Sequence, residues 1–270
     1  MSKGKLIVID GLDGTGKATQ VELLRQYLIN EKHLEEHKDF GVIDFPRYKH
    51  DSSLMVRKML AGEFGDDPAM IDAYTASEFY SIDRSLSYRT EEWGKIYDNG
   101  GLIIADRYTF SNVIHQGSKI HSYNARIYDS IQCPNDRIFE SRMINFMRWL
   151  FETEYRKMQI PIPDLLIFLE LTESANEKML RGRAETAVSG DIHEKNKEYL
   201  NNCRKTVKEV KNLFDRLSAY LKFKDEDAYL DFMNPTLYKF LTVSDELSPF
   251  DKETVHKMIV NVIDKSEILN

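Results

Sequence analysis

Residues 5–28, KLIVIDGLDGTGKATQVELLRQYL, pass from an apolar run through a glycine turn into a helical pattern, and no other segment limits the fold as much. Leu6 to Ile9 form a short apolar, β-branched run of the kind that suits a strand buried on both faces. Gly11, Gly14 and Gly16 follow at once, and then Val21, Leu24 and Leu28 recur on one helical face. Glycines let backbone N–H groups converge without a clashing side chain, and the helix start adds partial positive charge, so the turn is an anion site. Lys17 is placed to reach the outer phosphates of a nucleotide. Two residues depart from a plain phosphate loop. Ala18 stands where serine or threonine would offer a metal-binding hydroxyl, and Asp13 puts an acid among the glycines.

The same alternation continues down the chain. Apolar runs recur as LIVI at 6, GVIDF at 41, GLIIA at 101, LLIFLEL at 165 and LYKFLTV at 237, with helical patterns between them. Strands alternating with helices predict an α/β fold: a parallel sheet of about five strands flanked by helices. Ligands of such sheets sit beyond the carboxyl ends of the strands, so the residues just after each run are the functional candidates.

Three such ends carry chemistry. Pro46 closes the second strand and presents Arg47, whose planar fork suits a phosphate. The third run ends in Asp106, an acid placed to hold a metal or serve as a base, with Arg107 beside it as a phosphate ligand. In YTASEFYSIDRSLSYR, Tyr80 and Arg84 are four residues apart and share a helical face, giving a stacking ring beside a donor for a base carbonyl.

Composition removes several classes. The net charge is −7 with 30% charged residues, which predicts no nucleic-acid partner. Cys133 and Cys203 form no closely spaced pair, against a disulfide framework or a zinc site and for a reducing compartment. The seven histidines are scattered, and His193 is the one expected near functional residues. The first strand begins within five residues of the N-terminus and no run approaches a membrane span, so a soluble cytoplasmic protein without a membrane partner is expected.

Five motifs in order, GLDGTGKATQ, FPRY, YSIDR, DRYTFSNVIHQG and DIHEKNKEYL, make the chain resemble the thymidylate kinases, a P-loop family of nucleoside monophosphate kinases. The resemblance runs from residue 6 to about 205 and implies a P-loop NTPase-type sheet with a mobile lid at about 180–194, in one domain over 1–270. The segment at about 205–240 is longer than the family leads one to expect, and no role is assigned to it. The implied reaction moves a phosphoryl group from ATP to dTMP.

The resemblance also implies roles. Gly11, Leu12, Asp13, Gly14, Thr15, Gly16, Lys17, Ala18 and Thr19 would wrap the ATP phosphates, and Asp13 would also accept from the 3′-hydroxyl of the acceptor sugar. Arg47 and Arg107 would clamp the dTMP phosphate, Tyr80 would stack on thymine and Arg84 would reach its O4. Asn112 and Gln116 would border the base, with Ser111 nearby. With Ala18 unable to ligate, Mg²⁺ would rely on phosphate oxygens, waters and Asp106, directly or through water, with Glu194 standing behind it. Gly14 offers no side chain where some relatives carry an arginine, so Arg181 and Arg183 of the lid would supply the catalytic cation. A homodimer is implied as well.

Rival readings fit less well. A deoxynucleoside kinase handles an acceptor without a phosphate and has no use for the two arginines of FPRY and DRY. A GTPase would need N-K-x-D, and NKEY at 196 ends in tyrosine. A non-catalytic nucleotide-binding regulator finds support only in Ala18.

Overall fold

A computed structural model describes residues 3–120, 135–172, 174–175, 178, 196–221 and 236–269, with the side chains of 135–141 and 216–221 left out of the description. All five expected runs are strands: β1 Lys5–Gly11, β2 Phe40–Asp44, β3 Leu102–Asp106, β4 Leu165–Glu170 and β5 Leu237–Thr242. They pair in the order β2-β3-β1-β4-β5, every pair parallel. The helices described are α1 Lys17–Asn30, α2 Leu54–Leu60, α3 Ala73–Thr90, α4 Glu92–Asp98, α5 Thr109–His115, α6 Asn135–Phe151, α7 Lys197–Leu221 and α8 Lys252–Ser266.

Alternation along β1 explains how the helices divide between the two faces. Ile7 and Ile9 point to one face, where Val21, Leu24 and Leu28 of α1 meet Val255, Ile259 and Ile263 of α8. Leu6 and Val8 point to the other, under Trp93 and Ile96 of α4, Phe110 and Val113 of α5, Phe146 and Leu150 of α6, and Val207 and Val210 of α7. A fully buried large aliphatic side chain contributes about 1.5–3 kcal/mol, so both layers are held mainly by this period-two pattern.

The stretch expected to be additional, 205–240, is core at both ends. Val207, Val210, Leu213 and Phe214 of α7 are buried, and β5 completes the sheet. The lid expected at about 180–194 lies outside the described residues, as do Arg181, Arg183, His193 and Glu194. Among the described residues no helix is long and apolar enough to cross a membrane.

Parallel register brings the strand ends level. Ile9 of β1 and Asp44 of β2 both pair with Asp106 of β3, and Gly11 pairs with Leu169 of β4. The phosphate loop, the turn after β2 and the Asp106–Arg107 pair therefore open on the same edge of the sheet.

Candidate active site

The loop after β1 has the backbone that its glycines permit. Gly11, Gly14 and Gly16 have φ of 155°, 86° and 83°. At Gly11 a side chain is excluded by space as well, since a Cβ would come 2.7 Å from the Leu169 carbonyl oxygen. Lys17 Nζ reaches back across the loop and donates to the Leu12 carbonyl at 2.9 Å, as the Thr15 hydroxyl also does. Burial and the Arg107 charge together lower the Lys17 pKa to about 8. Ala18 and Thr19 are exposed at the start of α1.

Carboxylates crowd this loop. Burial raises the pKa of Asp10 at the end of β1, and Arg107 and Lys17 offset part of that rise. Asp10 accepts from the Ser111 hydroxyl at 2.7 and 2.9 Å and from the Gly11 amide at 2.8 Å. Burial also raises Asp106, against the pull of Lys17 and Arg107. Its Oδ1 is buried and, among the described residues, has no hydrogen-bond partner. At Asp13 burial works upward too, but Arg107, His115 and Lys17 outweigh it and hold the carboxyl well below the usual range.

Arg107 ties these acids together. Its Nη2 donates to Asp13 Oδ1 at 2.5 Å, and its Nη1 lies 3.5 Å from His115 Nε2. The backbone of Arg107 is left-handed, φ 67°, a conformation that costs a non-glycine residue of the order of 1–3 kcal/mol and is concentrated at functional sites. Its amide is nonetheless paired with the Ile9 carbonyl at 3.0 Å, which fixes the turn.

One cleft opens beside this cluster. Of the eight residues expected on the acceptor side, Asp13, Tyr80, Arg84, Arg107, Ser111, Asn112 and Gln116 all line it. Gln116 is fully buried, and neither its amide nitrogen nor its amide oxygen has a partner among the described residues. A buried amide with both functions unmatched is costly unless something else meets it.

Arg47 is the exception. It does not line the cleft: its guanidinium lies on Glu91, at 2.5 and 3.1 Å, and on Asp44 at 2.6 Å. The junction between α3 and α4 carries Glu91 to this point, a proximity that the local sequence of FPRY does not encode. Asp83 of the YSIDR motif anchors the same turn by accepting from the Arg47 amide at 2.8 Å and the Ser52 hydroxyl at 2.5 Å.

Three further residues escaped sequence reasoning. His193 was expected to be the histidine near the site, but it lies outside the described residues and His115 lines the cleft instead. His115 Nδ1 lies 3.3 Å from the Tyr199 hydroxyl, and burial lowers the imidazole pKa to about 4. Asp10 could have been suspected, as an acid ending an otherwise apolar strand. Glu154 is the third, a wholly buried carboxylate in the π-helical turn Glu152–Lys157 that continues α6. It accepts from Arg84 Nε at 2.9 Å and Nη2 at 2.5 Å, and from the hydroxyls of Ser81 and Thr109 at 2.7 and 2.6 Å. Arg84 is therefore 1% exposed although it lines the cleft. Breaking such a pair by removing one partner costs about 3–5 kcal/mol. The signal was present: Glu154 follows the buried residues Met147, Leu150 and Phe151 on one helical stripe, where a carboxylate is out of place.

A glycine loop of the phosphate-binding kind, an acid at the end of the neighbouring strand and a cleft beside both are the parts that a P-loop kinase of nucleotides uses. Residues 9–134 match the family model described as thymidylate kinase. A thymidylate kinase of Mycobacterium tuberculosis is 25% identical over 182 residues, 67% of this chain and 72% of that one. One from Prochlorococcus marinus is 30% identical over 115 residues, 43% of this chain and about half of that one, 53%. The solved structure of thymidylate kinase from Candida albicans shares the fold with a TM-score of 0.59 at 18% identity, over 100% of this chain and 96% of that one. Over residues 9–134 the chain is thus similar to the thymidylate kinases.

Proposed function

We propose that this chain transfers the γ-phosphoryl group of ATP to dTMP, yielding dTDP and ADP. The observation that carries the reading is the single cleft that joins Asp13 and Arg107, at the phosphate loop, to Tyr80, Arg84, Asn112 and Gln116. In this reading Gly11 to Thr19 hold the ATP phosphates, with Lys17 exchanging the Leu12 carbonyl for a phosphate oxygen. Arg107 aligns the acceptor phosphate, Asp13 accepts from the sugar, and Tyr80 stacks on the base. Phosphoryl transfer asks for alignment and charge neutralisation more than for a base, since the attacking phosphate oxygen is already anionic at neutral pH. Arg47 joins the acceptor phosphate in this scheme by exchanging Glu91 for it, a swap of one anion for another.

Mg²⁺ suits the residues present. The unmatched, buried Oδ1 of Asp106 is the position that a cation would satisfy, and one carboxylate with phosphate oxygens and waters meets the needs of Mg²⁺. When bound, the ion neutralises phosphate charge. Glu194 behind it, Arg181 or Arg183 as the lid cation, a homodimer, one domain over the whole chain and a cytoplasmic location complete the proposal.

ADP release measured with ATP, Mg²⁺ and each of dTMP, dUMP, dGMP and thymidine tests it. Turnover with dTMP well above the rest is the expected result. Turnover with thymidine alone would make the chain a nucleoside kinase, and none with any acceptor would make it a binding protein.

A further inference from the structure

We propose that Glu154 is a positioning residue that decides which base the cleft accepts, by holding the Arg84 guanidinium in one orientation. The inference rests on the kinase reading above and names a residue outside its phosphate motifs. Arg84 has only donors to offer, so what it favours is a pyrimidine with an oxygen at C4, and what it opposes is one with an amino group there. That choice requires a fixed guanidinium, because a free arginine can turn away from a mismatched donor. Glu154 removes the freedom. Its two oxygens take Nε and Nη2 in a two-point contact, and the hydroxyls of Ser81 and Thr109 fix the carboxylate in turn. The Arg84 guanidinium also lies over the Tyr108 ring, 6.0 Å from its centre.

The arrangement joins three elements: Ser81 and Arg84 come from α3, Thr109 from α5 and Glu154 from the π-helical turn. π-helical turns are rare and occur often at functional sites. Burying a complete ion pair adds little net stability compared with an apolar core, so a gain in stability is a poor reason for this one. Holding a donor in place beside a ligand is a better one, since a site that hydrogen-bonds its substrate rejects the analogue that leaves its groups unmatched.

The test is Glu154→Gln, assayed with dTMP and with dCMP at saturating ATP. Glutamine presents an amide NH₂ to one of the arginine donors and breaks the two-point contact. The expected result is a KM for dTMP raised about tenfold, with kcat moving far less and the KM for ATP within about twofold. The preference for dTMP over dCMP should fall by about tenfold in kcat/KM. In an Arg84→Lys background the same substitution should add nothing further, since Glu154 acts through Arg84. Equal losses with both acceptors, or multiplying effects in the double variant, would overturn the proposal. If Glu154→Gln does not fold, Glu154→Asp keeps the charge and carries the same comparison; failure of both to fold would make Glu154 a core residue and overturn it too. A wild-type chain inactive on dTMP removes the kinase reading itself, whereas an active one with an unaltered Glu154→Gln variant removes only this inference.

Discussion

The two ends of the cleft are built on opposite principles. Around Asp13 and Arg107 at the phosphate end, Asp10, Lys17 and Asp106 stand close enough for all five to shift one another's protonation, and Asp106 keeps a buried oxygen unmatched among the described residues. At the base end the one strong charge, Arg84, is already paired with Glu154, and its neighbours in the lining are uncharged, among them Tyr80, Tyr108, Leu60, Asn112 and Gln116. The charges of the first end depend on one another and on whatever binds there, while at the second the charge is balanced already and the Gln116 amide is what stands unmatched among the described residues. Substitutions at the phosphate end should therefore act on the rate of transfer, and those at the base end on the choice and affinity of the acceptor.

The sharpest way to break this contrast is Arg107→Ala. It removes the cation proposed to align the acceptor phosphate and leaves Asp13 without its ion pair. The rate should fall by about 10³ or more, the range in which a positioned arginine acts on phosphoryl transfer. A kcat within about tenfold of wild type in the ADP-release assay would show that the phosphate end does not depend on its charges.

Next in size is Asp106→Asn, with kcat lowered roughly a hundredfold and half-saturation by Mg²⁺ moved to higher concentration. A titration of rate against Mg²⁺ reads both, and an unchanged midpoint would separate Asp106 from the metal.

At the base end, Tyr80→Ala should raise the KM for dTMP by the equivalent of about 1–3 kcal/mol of lost stacking and leave that for ATP nearly unchanged. Equal shifts for both substrates would erase the division between the ends.

The last effect, on stability and not on turnover, belongs to His115, which lines the cleft beside Arg107. Its folded pKa of about 4 lies below the ordinary histidine value, so the folded state favours the neutral ring. That contribution to stability is complete above about pH 6.5 and is lost as the pH falls toward 4, because the unfolded chain takes up the proton first. Tm measured across this window should drop more steeply for wild type than for His115→Asn, and parallel curves would remove His115 from the balance.

The same contrast explains what could be read from sequence. The phosphate end was legible because its groups are neighbours in the chain: Asp13 and Lys17 share one turn, and Asp106 and Arg107 are adjacent. The five strands were legible because a parallel sheet covered on both faces needs unbroken apolar runs. Glu154 could not be paired with Arg84 from sequence, since 70 residues separate them and only the packing of α3 against α6 and the turn beyond it joins them. Arg47 was recognised as a phosphate-binding type, but its resting contact with Glu91 depends on a helix junction 44 residues away. His115 was passed over because a histidine within an apolar helical stretch looks like any other core residue.

Parallel pairing also sorts the chain by how freely its length can vary. Asp44 and Ile9 are both in register with Asp106, so one residue added within β3 would turn every later side chain of that strand to the opposite face and take Asp106 with it. Each strand, however, is entered at its amino end, away from the cleft. Leu237, the first residue of β5, pairs with Leu165, the first of β4, at that far edge. Length added ahead of a strand's first residue can extend the chain without changing that strand's register, and loop extension carries only a slowly rising entropy cost. Tolerance of length thus lies before the strands, and intolerance within them, where the register sets the level of Asp106 and Gly11.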